Sequence, residues 1–159
     1  MQHKMFNQAI RIAQRLRLFY WKIVKPVSVG VRAIVLDDRE RVLLVRHSYT
    51  PEWYLPGGRV RRSEGIVDAL HRELDEEVGV KAPTASLRLL GTYSSAKECK
   101  RDHISVFVVQ GAAHSSTNGS LEVSEQRWCS LEELPDGVSP GTRRRLQEYA
   151  GGQQLTYHW

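Results

Sequence analysis

Cysteine is nearly absent: Cys99 and Cys129 are the only two among 159 residues. Two thiols that far apart, with no histidine at a partnered spacing, give neither a disulfide framework nor a zinc site, so both are expected to stay reduced. Long apolar runs are lacking too. No stretch approaches the ~20 apolar residues that a membrane span needs. The start, "MQHKMFNQAIRIAQRLRLFYWKIVK", has neither the unbroken apolar core nor the small-residue cleavage site of a secretory signal. A soluble protein in the cytoplasm is expected. Acids are missing from one region. Through Leu36 there are seven cations and no Asp or Glu, so the rest of the chain carries 16 cations against 18 acids, and the net charge of +5 belongs to the N-terminal arm. Basic charge confined to one segment, with no recognition fold around it, argues against nucleic acid as the partner. With 41% apolar residues, disorder is excluded, and the length suits one domain with a real core.

Within residues 1–25, Met5, Ala9, Ile12, Leu16, Phe19 and Ile23 recur at spacings of four and three, the stripe of an amphipathic helix that Pro26 ends. Residues 26–159 form the second expected unit. "VSVGVRAIVL" and "RVLLVR", rich in β-branched residues and separated by the polar "DDRE", predict a hairpin. "HSYTPEWYLPGGRVRRS" is punctuated as a loop by its prolines and glycines. From Glu64 to Val78 the spacing predicts a helix, with Ser63 as N-cap, Gly79 as stop and Ile66, Leu70, Leu74 and Val78 as the buried stripe. "LRLLGTYSS", "HISVFVVQG" and "QRWCSL" read as strands, "SSTNGS" as a loop tip, and a last helix begins near Pro140. Strands and helices in this order suggest an α/β/α sandwich around a mixed sheet.

In "HRELDEEVGV" the residues Glu73, Glu76 and Glu77 fall at i, i+3 and i+4, so three carboxylates share one side of the helix. The like-charge pair Glu73 and Glu77 costs an isolated helix roughly 0.2 to 0.5 kcal/mol, and one Arg72 cannot neutralise it all. A hard divalent cation with oxygen ligands suits such a cluster, and no His or Cys stands there at soft-metal spacing. Alone, "ELDEE" still reads first as a solvated acidic face.

The flanks alter that balance. "GGRVRRSEGIVDALHRELDEEVGV" resembles, at nine specified positions, the signature of the Nudix hydrolases: Gly58, Glu64, Arg72, Glu73, Leu74, Glu76, Glu77, Gly79 and Val80. "WYLPGG" before it and "RWCSLEELP" after it extend the resemblance over roughly residues 27 to 147. The resemblance implies Mg²⁺-dependent (or Mn²⁺-dependent) hydrolysis of a nucleoside diphosphate linked to another moiety: ADP-ribose, another nucleotide sugar or a nucleoside triphosphate. It further implies metal ligation by Glu76 and Glu77 with the Gly57 carbonyl, and Glu73 as a ligand through water or as general base. Arg72 would orient the glutamates, Glu64 would tie loop to helix, and Leu74, Gly79 and Val80 would be structural. A loop acid completes such sites; Glu122, six residues before Trp128, is the better match and Glu125 the second. Arg61, where the family often has an acid, forms a basic patch with Arg59 and Arg62 that is either solvated or aimed at substrate phosphates.

Tyr49, Trp53 and Tyr54 stand where a base or sugar could stack, with one of them expected to face substrate and Trp53 and Tyr54 taken as the candidates. His47, His71 and His103 are expected as surface or satisfied polar residues, and the run 143–145 as solvated. The N-terminal stripe has three readings: docking on its own domain or on a second subunit in a homodimer, attachment to an anionic membrane surface, or a transit peptide. Two alternatives to the small-nucleotide hydrolase stay open: removal of pyrophosphate from RNA 5′ ends, and a Nudix-like module that senses a nucleotide without cleaving it.

Overall fold

The computed structural model describes residues 27–95, 101–111, 113–114, 122–151 and 156–159. The expected N-terminal helix, Cys99 and the "SSTNGS" loop tip lie outside them. The strands are β1 (Val27–Val35), β2 (Val42–His47), β3 (Trp53–Tyr54), β4 (Val80–Lys81), β5 (Leu87–Ser95), β6 (Arg101–Val109), β7 (Ala113–His114) and β8 (Val123–Cys129). The helices are α1 (Ile66–Val78) and α2 (Pro140–Tyr149), with a short 3₁₀ turn at Thr84–Ser86. The β1-β6-β5 sheet is mixed: β1 runs parallel to β6, and β5 antiparallel to it. The β3-β2-β8 sheet is antiparallel, and β4 pairs with β7. Among the described residues no helix is long and apolar enough to cross a membrane.

Alternation along the central strands divides the core between two layers. On one face Val31, Ala33 and Val35 of β1 and Phe107 and Val109 of β6 meet Ala69, Leu70, Leu74 and Val78 of α1. On the other, Ile34, Val106 and Val108 meet Leu44, Trp53, Tyr93 and Leu146 of α2. A fully buried side chain of this size contributes about 1.5 to 3 kcal/mol, so both faces of β1 are committed, which is the α/β/α arrangement.

Three local expectations are corrected. The β1–β2 connection is not a paired hairpin: the strands meet at the Leu36–Val42 bridge, and β1 then departs to pair with β6. The other edge of β1 is taken by the glycine loop, since Val31 N–H donates to the Gly58 carbonyl at 2.9 Å, Ala33 N–H to Pro56 at 3.0 Å, and Val60 N–H to Val29 at 2.9 Å. The helix begins at Ile66 with Gly65 as N-cap, and Ser63, at φ 64°, caps nothing. Its C-terminal end is as expected, with Gly79 left-handed at φ 63°. Finally, the 143–145 run is not all solvated: Arg145 is fully buried.

Candidate active site

The acidic face of α1 is organised by Arg72. Its guanidinium donates from Nε to Glu64 Oε1 (2.7 Å) and from Nη2 to Glu64 Oε2 (2.9 Å), a two-pronged bond to a planar carboxylate. Nη1 donates to Glu73 Oε1 at 2.7 Å and Glu76 Oε2 at 3.3 Å, while Nη2 also reaches the Arg59 carbonyl at 3.1 Å. The donors reach acids of the helix and, through Glu64 and the Arg59 carbonyl, the loop before it, so one side chain fastens the glycine loop to α1. The hydrogen bonds from Arg72 lead in bringing the Glu64 carboxyl down to about 2, helped by the Arg61 N–H. Those same bonds push the Arg72 guanidinium far above its ordinary value.

Glu77 lies one turn from Glu73 and is buried, 5% exposed. Its Oε2 accepts the Gly57 N–H at 2.8 Å. Gly57 sits at φ 131°, and a Cβ there would stand 2.3 Å from the Val31 carbonyl oxygen, so only glycine fits the turn. Burial pushes the Glu77 carboxyl up to about 7, against the opposing pull of Arg32 and the Gly57 N–H. Arg32 spends its Nη1 on the carbonyls of Leu55 (3.0 Å) and Gly57. His47 Nε2 is 4.0 Å from Glu77 Oε1, beyond hydrogen-bond length. Burial, then Arg32, lowers the imidazole's pKa, so it offers Glu77 no counter-charge at neutral pH.

Around these groups is a cavity of about 280 Å³ with the acids Glu73, Glu76, Glu77 and Glu122 and the arginines Arg59, Arg61 and Arg72 in its walls. Arg61 Nη2 is 3.5 Å from Glu76 Oε1. A second groove, about 200 Å³, adjoins at Gly58 and Arg59 and is walled by Ser28, Gly30, Arg32, Asp102 and Ile104. Among the described residues no three acid, imidazole or thiol groups converge into a ready-made metal cage. Arg72 draws Glu73 and Glu76 toward itself while the glycine turn draws Glu77 inward. The donor set nonetheless fits a hard cation: carboxylate oxygens on one wall, including a buried carboxylate beside a neutral imidazole.

Of the expected site residues, Glu122 lines this cavity, whereas Glu125 pairs with Arg46 and, at 3.3 Å, with Arg127 on the β2–β8 surface. Leu74 and Val80 are core. Trp53 does not join the site: it is 3% exposed, with Arg46 and Arg127 over its ring at 4.8 and 5.1 Å. Tyr54 is half-buried, its hydroxyl donating to Glu52. Sequence reasoning missed Arg32 and His47 as neighbours of the site. Arg32 had a signal, a lone charge inside the apolar run "VGVRAIV"; His47 had none, being a polar residue at a strand end.

The family model of the NUDIX domain matches residues 26–149, most of the chain. The chain belongs to the NUDIX family. It is a hydrolase of the class that acts on phosphorus-containing anhydrides. It is 30% identical over 125 residues to the Bacillus subtilis (strain 168) protein named "Putative 8-oxo-dGTP diphosphatase", covering 79% of this chain and 81% of that one. To the ADP-ribose pyrophosphatase of Methanocaldococcus jannaschii it is 28% identical, covering 79% and 75%. Among solved structures, the MutT NUDIX hydrolase of Burkholderia pseudomallei superimposes with a TM-score of 0.67 at 25% identity, covering 76% of this chain and 96% of that one.

Proposed function

We propose that this NUDIX protein cleaves, with Mg²⁺, the pyrophosphate bond of a nucleoside diphosphate linked to another moiety. The observation that carries the reading is the buried Glu77 carboxylate at the glycine turn, sharing one cavity with Glu73, Glu76 and Glu122. These four acids are the groups that would hold the ion, with the Gly57 carbonyl, already an acceptor for Arg32, retaining a second lone pair. Magnesium bound there supplies charge neutralisation for phosphoryl oxygens and activation of a water.

The chain's own residues do the rest. Arg72 holds Glu73 and Glu76 beside the loop, which limits the ordering left for their side chains when a phosphate arrives. Arg59 and Arg61 stand in the cavity wall, Arg61 63% exposed along its side chain, able to form forked hydrogen bonds to phosphate oxygens. Glu73, 14% exposed along its side chain, is the carboxylate to accept the proton of the attacking water at its Oε atoms. The Bacillus and Methanocaldococcus relatives point to oxidised nucleoside triphosphates and ADP-ribose as the first substrates to try.

The test is a Mg²⁺ assay of ADP-ribose, nucleotide sugars and nucleoside triphosphates, with phosphorylated products resolved by chromatography. The wild type is expected to turn over at least one, and Glu77→Gln to lose about a hundredfold or more in kcat. Turnover undiminished in Glu77→Gln would contradict the site; binding with no turnover would favour a sensing module.

A further inference from the structure

Three aromatic side chains flank the glycine turn, and the structure leaves one of them to solvent beside the cavity. Trp53 is enclosed and the Tyr54 hydroxyl is tied to Glu52, but Tyr49 is 67% exposed. It is not loose. Its ring lies parallel to that of His47, centroids 5.2 Å apart and planes within 10°. His47 is itself 6% exposed, and Thr50 N–H returns to its carbonyl at 3.3 Å, closing the turn that carries Tyr49. Ser48 N–H donates to the Glu122 carbonyl at 2.9 Å, joining that turn to the loop acid of the cavity.

The position follows from the same contacts. His47 stands 4.0 Å from Glu77, and Ser48, next to Tyr49, is hydrogen-bonded to Glu122. The groove meets the carboxylate cavity at Arg59, and the turn that carries the His47–Tyr49 stack adjoins two of the cavity's acids, Glu77 through His47 and Glu122 through Ser48. The groove at Arg59 offers room for one organic group of a bound diphosphate, and the exposed Tyr49 ring offers a surface for a second. An exposed tyrosine usually needs no explanation. Here one face is already spent on an imidazole, so the ring is oriented before any ligand arrives, and the residue is still 67% exposed. Rings packed on such a surface gain without further ordering of the protein.

We propose that Tyr49, seated on His47, is the surface against which a ring carried by the distal phosphate packs, so that diphosphates bearing a ring-containing group on both sides are the favoured substrate class. This rests on the hydrolase reading above and sharpens it, since a nucleoside triphosphate would leave the tyrosine unused.

The experiment uses two ligands that cannot be cleaved, the α,β-methylene analogues of ADP-ribose and of ADP, titrated calorimetrically with Mg²⁺ into the full chain. The readout is the ratio of the two affinities. Wild type is expected to favour the ADP-ribose analogue, Tyr49→Leu to reduce that ratio about tenfold, and Tyr49→Phe to keep it, because the ring and not the hydroxyl makes the contact. A ratio unchanged in Tyr49→Leu, or reduced equally in Tyr49→Phe, overturns the inference while binding itself leaves the hydrolase reading intact. A wild type that binds neither analogue overturns the inference, while the hydrolase reading is decided separately by the turnover assay above.

Discussion

Arg72 holds more of the site than any single glutamate, because four hydrogen bonds to three carboxylates leave from one guanidinium. Its pairing with Glu64 has a direct consequence for acid stability. Glu64's folded value of about 2 lies below its ordinary 4.5, so the folded state favours the ionised form. That contribution is complete above pH 4.5 and is lost as pH falls toward 2. Thermal melts between pH 5 and 2 should therefore show a steeper acid limb in wild type than in Glu64→Gln; parallel limbs would contradict the pairing. At this scale the box residues were legible because nine positions at fixed spacing carry a chemical requirement. Arg32 and His47 were not, since their roles depend on which carbonyl or carboxylate a distant loop brings near, and spacing along one strand says nothing of that.

The element that makes the site is the glycine loop laid against the edge of β1. Its backbone replaces a neighbouring strand there, which is why the expected β1–β2 hairpin opens after one bridge. The sequence pattern announced two strands and a turn correctly but could not say which edge each strand would offer. The start of α1 was misjudged for a related reason: Ser63 has the chemistry of an N-cap, but the Arg61–Glu64 turn places it at positive φ, and Glu64 bonds the Arg61 N–H at 2.7 Å instead. At Gly57 the constraint is steric and conformational together. Gly57→Ala puts a methyl 2.3 Å from the Val31 oxygen at φ 131°, and should cost at least about 1 to 3 kcal/mol in chemical denaturation. Because the Gly57 N–H also holds Glu77, the folded fraction should lose activity as well. A variant as stable and as active as wild type would show that the turn does not position the carboxylate.

Across the whole molecule, the second layer carries a buried charge cluster remote in purpose from the box. Arg145 pairs with Glu148 at 2.8 Å, donates to the His158 carbonyl at 3.0 Å and to Thr156 Oγ1 at 2.8 Å, and lies over the Tyr93 ring at 3.7 Å. It thereby fixes residues 156–159 between α2 and β5, where Trp159 N–H and the Ser94 carbonyl meet at 2.9 Å. In the sequence this residue was one of three consecutive arginines; the helical turn, by aiming it inward at Glu148, separated it from exposed Arg143. Arg145→Ala leaves Glu148 buried without its partner and should cost about 3 to 5 kcal/mol, whereas Arg143→Ala should be close to neutral. Equal melting temperatures for the two would contradict the assignment.

On the proposed function, Glu73, Glu76 and Glu77, gathered at the glycine turn with Glu122, grip a divalent ion. Electron paramagnetic resonance of Mn²⁺ titrated into the full chain measures that grip without requiring the right substrate. Wild type should bind manganese, and Glu76→Gln and Glu77→Gln should each weaken binding by at least about tenfold. Manganese affinity that is the same in all three proteins would contradict the account.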